Sequence, residues 1–117
     1  MRNFKELKIW QKGFQIAINS FKLTSTFPKE EKYGITSQIT KAAVSIPSNI
    51  SEGSSRSSEK DYNRFVEISL GSTFELETQL LIAEAVNYGY KELRNEMLKD
   101  IDEEQKMLFS FMNKLNK

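Results

Sequence analysis

The sequence has no histidine and no cysteine among its 117 residues. Those two residue types supply the usual ligands of zinc, copper and haem sites, the thiol nucleophiles and the commonest general base. No glycine-rich phosphate loop is present either, because the five glycines are scattered singly. Any chemistry would have to rest on carboxylates, lysines or hydroxyls. We therefore expect a protein that is not an enzyme and that holds no cofactor and no metal.

Long apolar runs are also missing. No segment approaches the roughly 18–20 uninterrupted apolar residues that a membrane span needs. Residues 1–6 are mostly polar or charged and lead directly into helical periodicity, without the apolar core of a signal peptide. The lack of cysteine fits a reducing compartment. We expect a cytoplasmic protein with no membrane partner, and the length predicts a single domain over residues 1–117.

Charge is nearly balanced overall but unevenly distributed. The formal net charge is +1, which does not draw the whole molecule to nucleic acid. Residues 1–60 hold ten Lys and Arg against five Asp and Glu, whereas residues 61–117 hold seven against eleven. Solvated helix faces explain this asymmetry as well as a basic binding surface does.

Apolar residues recur at helical spacing through four segments. They predict helices over residues 5–24, 35–57, 58–88 and 91–115, with a short helical turn at residues 28–33. Asn3 and Ser58 are the expected N-caps, and Gly89 is expected directly after the C-terminus of the third helix. Four amphipathic helices with short connections predict an all-α, antiparallel up-down-up-down four-helix bundle.

Pro47 lies inside the second predicted helix. A proline there removes one backbone hydrogen bond and crowds the carbonyl four residues earlier. The alternatives are a kinked continuous helix and two short helices broken near Ser45. Because the apolar register carries through from Ile46 to Ile50, we favour a Pro-kinked continuous helix.

The first and third helices each carry two apolar stripes. On the first helix we expect one stripe to face the core, namely Leu7, Trp10, Phe14, Ala17 and Phe21. On the third helix the stripe expected to face the core is Phe65, Ile68, Ser72, Leu76, Gln79, Ala83 and Val86. The second apolar stripe of each helix must also be buried by some contact, because a monomeric bundle requires only one apolar face per helix. Lysines border the second stripe of the first helix, and Glu77 and Glu84 border that of the third.

These second stripes favour a contact between different surfaces of two copies, which closes into a ring. Its centre is expected at Ile16 and Leu81. The alternative is that both stripes are edges of broad core-facing surfaces. The candidate oligomer interface consists of Ile9, Ile16, Leu23, Leu70, Phe74 and Leu81.

A polar stripe follows the second helix beside its apolar face. Four residues recur at 4-3-4 spacing, and two residues of the third helix are expected to meet them; together they are Ser45, Asn49, Glu52, Arg56, Ser72 and Glu75. One interpretation is a hydrogen-bond network that fixes the register of the bundle. The other is a groove that binds an RNA backbone or a peptide. A carboxylate enzyme using Glu52 and Glu75 is disfavoured, because nothing supplies a metal, a nucleophile or a phosphate site.

The run QITKAAVSIPSNISEG at residues 38–53, with Arg56, Gly71-Ser72 and Glu75-Leu76-Glu77, resembles the four-helix bundle family encoded in 23S ribosomal RNA intervening sequences. Phe27-Pro28 and Tyr33-Gly34 extend the resemblance. It implies a four-helix bundle and a homopentameric ring. The family is in turn similar to the accessory protein of diversity-generating retroelements, a basic pentamer that partners reverse transcriptase and nucleic acid.

The chain departs from the family at Thr40-Lys41, where a pair of basic residues is often found. We therefore expect first a non-catalytic oligomeric scaffold or adaptor acting on an RNA or protein partner. The alternative is a protein that binds RNA or DNA directly, with binding that weakens as salt rises. The candidate nucleic-acid contacts are Lys5, Lys8, Lys12 and Lys41.

Overall fold

Four long helices form most of the chain. The computed structural model describes residues 2–116, and within that range there is no strand. The long helices are α1 (Lys8–Thr24), α2 (Ile35–Ser54), α3 (Glu59–Ala85) and α4 (Lys91–Leu115). Short 3₁₀ turns at Phe4–Glu6 and Lys29–Glu31 precede α1 and α2. The predicted all-α class is confirmed, as are the bounds of the fourth helix.

The helix starts follow the predicted caps with one difference. Ser58 caps α3 by accepting a hydrogen bond from the Asp61 N–H at 3.1 Å. Asn3 caps only the short 3₁₀ turn, where its side chain accepts from the Lys5 N–H. Leu7 is extended, with φ −75° and ψ 130°, so α1 begins at Lys8 rather than near residue 5.

The C-terminus of α3 differs from the prediction. Asn87, not Gly89, takes the left-handed position after the helix, with φ 63°. The Tyr88 N–H donates to the Ala83 carbonyl and the Asn87 N–H donates to the Glu84 carbonyl, which is the Schellman arrangement. Asparagine tolerates this conformation better than most residues do. Gly89 also has a positive φ, 83°, in the following loop.

The helices pack around one apolar core. Each helix contacts its neighbours in the chain, and α1 also contacts α4. The Arg2 guanidinium donates to the Ser54 carbonyl, and Gly13 lies beside Ile46. Ser45 bonds Ser72 across α2 and α3. The last two contacts join α1 to α2 and α2 to α3, and the up-down-up-down order stays a prediction.

Helix α2 passes through Pro47 without interruption. The predicted alternative of two short helices is therefore wrong, and the helix is continuous as favoured. The kink at Pro47 stays a prediction. Ser69 of α3 donates to the Ile46 carbonyl at 2.9 Å, which ties the two helices together beside the proline. The α2 stripe of Ile39, Ala42, Ala43, Ile46 and Ile50 is buried, as expected.

The second stripe of α1 faces the core, as the alternative of a broad core-facing surface predicted. Of the stripe expected in the core, Ala17 is buried and Leu7 and Trp10 are only partly buried. Ile9, Ile16 and Leu23 lie in the core of the single chain, with Ile16 and Leu23 at 0% exposure. Phe14 and Phe21 are on the surface, 46% and 57% exposed. The reason is close packing: a β-carbon on Gly13 would lie 3.0 Å from Ile46 Cγ2 and 3.4 Å from the Pro47 nitrogen. Only a stripe with a small residue at that level lets α2 approach so closely.

Helix α3 carries apolar side chains on more than one side, interspersed with polar and charged ones. Leu76 and Ala83 are buried as predicted, but Ile68 and Val86 of the same predicted stripe are about half exposed. Leu70, expected at an oligomer interface, is instead buried within the chain, and so is Val66. The predicted interface is thus wrong for Ile9, Ile16, Leu23 and Leu70, whereas Phe74 and Leu81 do lie on the surface.

Candidate interaction surfaces

The first part of the polar stripe is a hydrogen-bond chain that joins α2 to α3. The Asn49 amide donates to the Ser45 hydroxyl at 2.9 Å and to the Ser45 carbonyl at 2.8 Å. The hydroxyls of Ser45 and Ser72 lie 2.7 Å apart, and Ser72 donates to the Ile68 carbonyl. Because the Ser72 hydroxyl proton is donated to the Ile68 carbonyl, Ser45 is the donor in the hydrogen bond between the two hydroxyls. The arrangement satisfies each hydroxyl within the protein.

The remaining members of the predicted stripe do not join this chain. Arg56 pairs with Glu52 at 3.0 Å, but the two side chains are 41% and 55% exposed. The Arg56 guanidinium also lies over the Phe65 ring, 4.6 Å from its centroid. Glu75 is exposed and bonds none of the stripe residues in the described part of the chain. The predicted polar stripe therefore divides into three separate parts. They are the hydrogen-bond chain of Ser45, Asn49 and Ser72, the exposed ion pair of Glu52 and Arg56, and the carboxylate of Glu75.

Glu75 lines a polar groove of about 280 Å³ between α2 and α3. Lys41 lies in the same groove without approaching Glu75 closely enough for an ion pair. Gln79 is 8% exposed, and its Oε1 atom accepts no hydrogen bond from residues 2–116. The groove is lined by Gln38, Lys41, Ala42, Ser45, Glu75 and Gln79.

The candidate nucleic-acid contacts are not brought together on one chain. Lys12 Nζ lies 2.6 Å from Glu103 and 3.5 Å from Asp100, and the hydrogen bond to Glu103 raises the pKa of Lys12. Lys5, Lys8 and Lys41 are exposed. Lys41 lies roughly 20 Å along α2 from Ser54, the end of the helix that adjoins the N-terminal residues. The basic residues therefore form no continuous patch in the described chain.

An apolar groove runs between α1 and α2 on the outside of the bundle. Trp10 stacks on Phe14 with ring centroids 5.0 Å apart, and Phe4 meets Trp10 edge-on at 5.3 Å. The groove has a volume of about 390 Å³ and is bordered by two serines at one side. Its lining is Phe4, Trp10, Phe14, Ala17, Ile18, Phe21, Val44, Pro47, Ser48 and Ser51. An open apolar surface of this kind marks an interaction site in many soluble proteins.

A second apolar surface covers the outward side of α3. About half of each side chain is exposed at Ile68, Phe74, Leu81, Ile82 and Val86. Gly71 lies between Ile68 and Phe74, and a β-carbon there would meet nothing within 4 Å. The outward α3 surface thus has an open notch in its middle.

Two buried charges were missed by the sequence analysis. Arg94 and Glu104 occupy helical spacing with Met97, Ile101 and Leu108, so their positions in the α4 core stripe were the available signal. Arg94 is partly satisfied: one terminal guanidinium nitrogen donates to the Tyr88 and Gly89 carbonyls at 2.7 and 2.9 Å, whereas its Nε donates to no residue among 2–116. Glu104 is completely buried, and burial raises its pKa to about 8.

Within residues 2–116 no group of three or more Asp or Glu side chains is placed to hold a metal ion. No helix in that range is long and apolar enough to cross a membrane.

Comparison with known proteins identifies relatives of the chain. A family model described as 23S rRNA-intervening sequence protein matches residues 5–110. A comparison with curated proteins finds no match. One similar solved structure, from Bacteroides thetaiotaomicron, is described as a protein with unknown function from the S23 ribosomal protein family. Its TM-score is 0.81 at 25% sequence identity, and the match covers 89% of this chain and 97% of that one.

Proposed function

Because the chain belongs to the 23S rRNA-intervening sequence protein family, we propose that it is a non-catalytic, homo-oligomeric scaffold or adaptor of the cytoplasm. The subunits assemble as a closed ring. The pentameric size rests on the family resemblance alone. The observation that carries the proposal is the presence of two exposed apolar surfaces on different helices of one chain.

The first surface is the α1–α2 groove around Phe14 and Phe21, and the second is the outward side of α3 around Phe74 and Leu81. A buried aromatic side chain covers about 150–250 Å². Covering the exposed half of each of the three phenylalanines therefore contributes about 2 kcal/mol apiece at about 25 cal/mol per Å². Leaving both surfaces in water forfeits this contribution and favours aggregation.

Charge supports pairing the two surfaces with each other. The charged residues of α1 are all lysines; Lys12 is paired with Glu103 and Asp100 of α4, whereas Lys8 and Lys22 are exposed. From residue 65 to its end, α3 carries four glutamates and no basic residue. Complementary charge raises the rate of association and disfavours pairing of like surfaces. The groove is therefore expected to receive α3 of the next copy rather than a second groove.

A contact between two different surfaces is heterologous. Each subunit then keeps one free surface of each kind, so the chain of contacts ends only when a ring closes. An isologous dimer formed through only one of these surfaces, by contrast, leaves the other exposed. The ring thus accounts for both apolar surfaces, and the dimer accounts for one.

The test uses one variant for each surface. Phe21→Glu blocks the groove, and Leu81→Glu blocks the α3 surface, so each variant alone should be monomeric by light scattering. Mixing the two should give a one-to-one heterodimer by native mass spectrometry, because each variant retains the surface that the other lacks. Phe109→Glu is the matched control: Phe109 is 51% exposed on α4 and should leave wild-type assembly unchanged.

Two results would overturn the proposal. A wild-type protein that scatters as a monomer at tens of micromolar has no ring. A variant pair in which only one substitution blocks assembly indicates an isologous contact, and so does the absence of a heterodimer on mixing.

Direct binding of RNA or DNA is the second candidate, favoured by the exposure of Lys5, Lys8 and Lys41. A ring would repeat these lysines around its circumference. Binding should then weaken steeply with salt, and Lys41→Ala should lower the slope of log affinity against log salt. If the affinity for RNA or DNA is insensitive to salt, or if neither binds at low salt, the nucleic-acid hypothesis is wrong. The remaining function is then an adaptor that acts on a protein partner.

A further inference from the structure

Glu104 lies in the core of the bundle, facing α1. It is 0% exposed, and no described residue donates a hydrogen bond to either carboxyl oxygen. Glu104 Oε2 is 3.1 Å from the position that a β-carbon on Gly13 would take. Ile46 Cγ2 of α2 is 3.0 Å from the same position, so an apolar side chain closes the site opposite α4.

Among residues 2–116, Lys12 is the one cation whose charge favours the ionised form of the Glu104 carboxyl group. Lys12 of α1 is held at the edge of the bundle by Glu103 and Asp100, which flank Glu104 on α4. The charged residues of α2, Lys41 and Glu52, are exposed. Those of α3 are exposed as well, except half-buried Glu77, which accepts a hydrogen bond from Gln105. No other ionised group therefore faces the carboxyl group from these helices.

The surroundings favour the neutral acid. Removal from water without a compensating donor disfavours the ionised form, and this effect exceeds the opposing attraction of Lys12. The pKa of Glu104 is raised to about 8, so the carboxyl group keeps its proton at neutral pH. Above that pH an ionised Glu104 needs water or a cation. The packing between α1 and α4 is the least extensive among the four pairs of adjacent helices around the core. Water or a cation should therefore reach Glu104 most readily between these two helices.

We propose that Glu104 is a proton-dependent lock on the seam between α1 and α4. With the proton bound, the seam is closed and Lys12 stays with Glu103. When the proton is lost, the seam opens, and water or the Lys12 ammonium group reaches the carboxylate. The lock is separate from the α1–α2 groove and from the outward α3 surface, so it operates in a monomer as well as in a ring.

The test is amide hydrogen exchange of the full-length protein from pH 6 to pH 9.5, with Glu104→Gln as the reference at each pH. Glutamine has nearly the same shape but cannot ionise. Relative to this variant, wild-type protection should fall between pH 7 and pH 9 by at least tenfold more in α1 and α4 than in α2 and α3. Direct titration of the Glu104 carboxyl carbon by NMR in the wild type should give the same midpoint.

Two further variants should move that midpoint in opposite directions. Lys12→Met removes the attracting cation and should raise the midpoint. Glu103→Gln removes a negative charge and frees Lys12, so it should lower the midpoint. Asp102→Asn is the matched control, because Asp102 is an exposed carboxylate on the same helix, paired with Lys106 at 3.0 Å. It should leave the midpoint unchanged.

Several results would overturn the lock. Equal protection of wild type and Glu104→Gln at every pH means that ionisation opens nothing. A loss spread evenly over all four helices means global destabilisation without a seam. A carboxyl midpoint near 4.5 in the NMR titration means that Glu104 is hydrated in solution.

Discussion

Two helical glycines, Gly53 in α2 and Gly71 in α3, differ in the space available for a β-carbon. At Gly53 it would lie 2.8 Å from Phe65 Cβ and 3.2 Å from the Tyr62 carbonyl oxygen. At Gly71 it would meet nothing within 4 Å. Alanine exceeds glycine in helix propensity by about 1 kcal/mol at either position. The propensity gain therefore cancels when the two alanine variants are compared.

The comparison isolates the steric cost at the α2–α3 contact. Gly71→Ala should stabilise the subunit by about 1 kcal/mol, since only propensity acts. Gly53→Ala gains the same amount but forces α3 away from α2, which costs about 1–3 kcal/mol for overpacking. Besides Tyr62 Cδ1 at 3.1 Å, the nearest atoms are Phe65 Cβ and the Tyr62 carbonyl oxygen, which do not move when a side chain rotates, so rotation of the Tyr62 ring alone cannot relieve the contact. Gly53→Ala should thus be about 1–3 kcal/mol less stable than Gly71→Ala.

The measurement is urea unfolding followed by far-ultraviolet circular dichroism. Both variants should be made in the Leu81→Glu background, so that assembly does not add to stability. Equal slopes with different midpoints indicate a change in the free energy of unfolding alone. Equal midpoints, or a higher midpoint for Gly53→Ala, would refute the close packing of α2 against α3 described above.

Three further substitutions test other parts of the argument. Ile16→Lys should unfold the subunit rather than dissociate a ring, because it places a charge in the core; a folded monomer by circular dichroism would contradict this. Glu52→Gln should change the free energy of unfolding by no more than about 0.5 kcal/mol, because the pair with Arg56 is exposed. A larger loss in urea unfolding would mean that the pair is buried in solution. Wild-type stability should fall as pH rises from about 4.5 to about 8, because the folded state binds the Glu104 proton more tightly than the unfolded state. The loss is at most about 5 kcal/mol and should be absent in Glu104→Gln; a flat wild-type profile would count against it.

How well the sequence predicted each helix depended on the number of its apolar stripes. Helices α2 and α4 have one dominant apolar stripe each, and the apolar residues of their buried faces followed from spacing, although Arg94 and Glu104 of α4 were missed. Helix α1 has two stripes, and the larger aromatic side chains made the wrong one look like the core. Side-chain size was the misleading criterion, because packing of α2 against α1 at Gly13 depends on small residues rather than on total apolar area.

The candidate surfaces were harder to predict than the fold. Spacing placed Ser45, Asn49 and Ser72 correctly beside one another but could not show that Glu52 and Arg56 lie farther out. Helical spacing fixes an angle around the helix axis and says nothing about the position of the neighbouring helix. Glu104 was predictable in principle, since it interrupts an apolar stripe at a core position. Only the surrounding structure shows that it has no partner.

The outward side of α3 has two features that contact with another copy of the chain explains, namely its exposed apolar side chains and Gly71 among them. Helix α3 has apolar side chains on the half that faces the core and also on the half that the bundle leaves uncovered, where they are about half exposed. At the middle of the uncovered half, Gly71 weakens the isolated helix by about 1 kcal/mol relative to alanine. Both features follow if another copy packs closely against this side and uses the notch. Gly71→Ala should then stabilise the isolated subunit but weaken assembly, a pair of opposite effects that a merely exposed glycine would not produce.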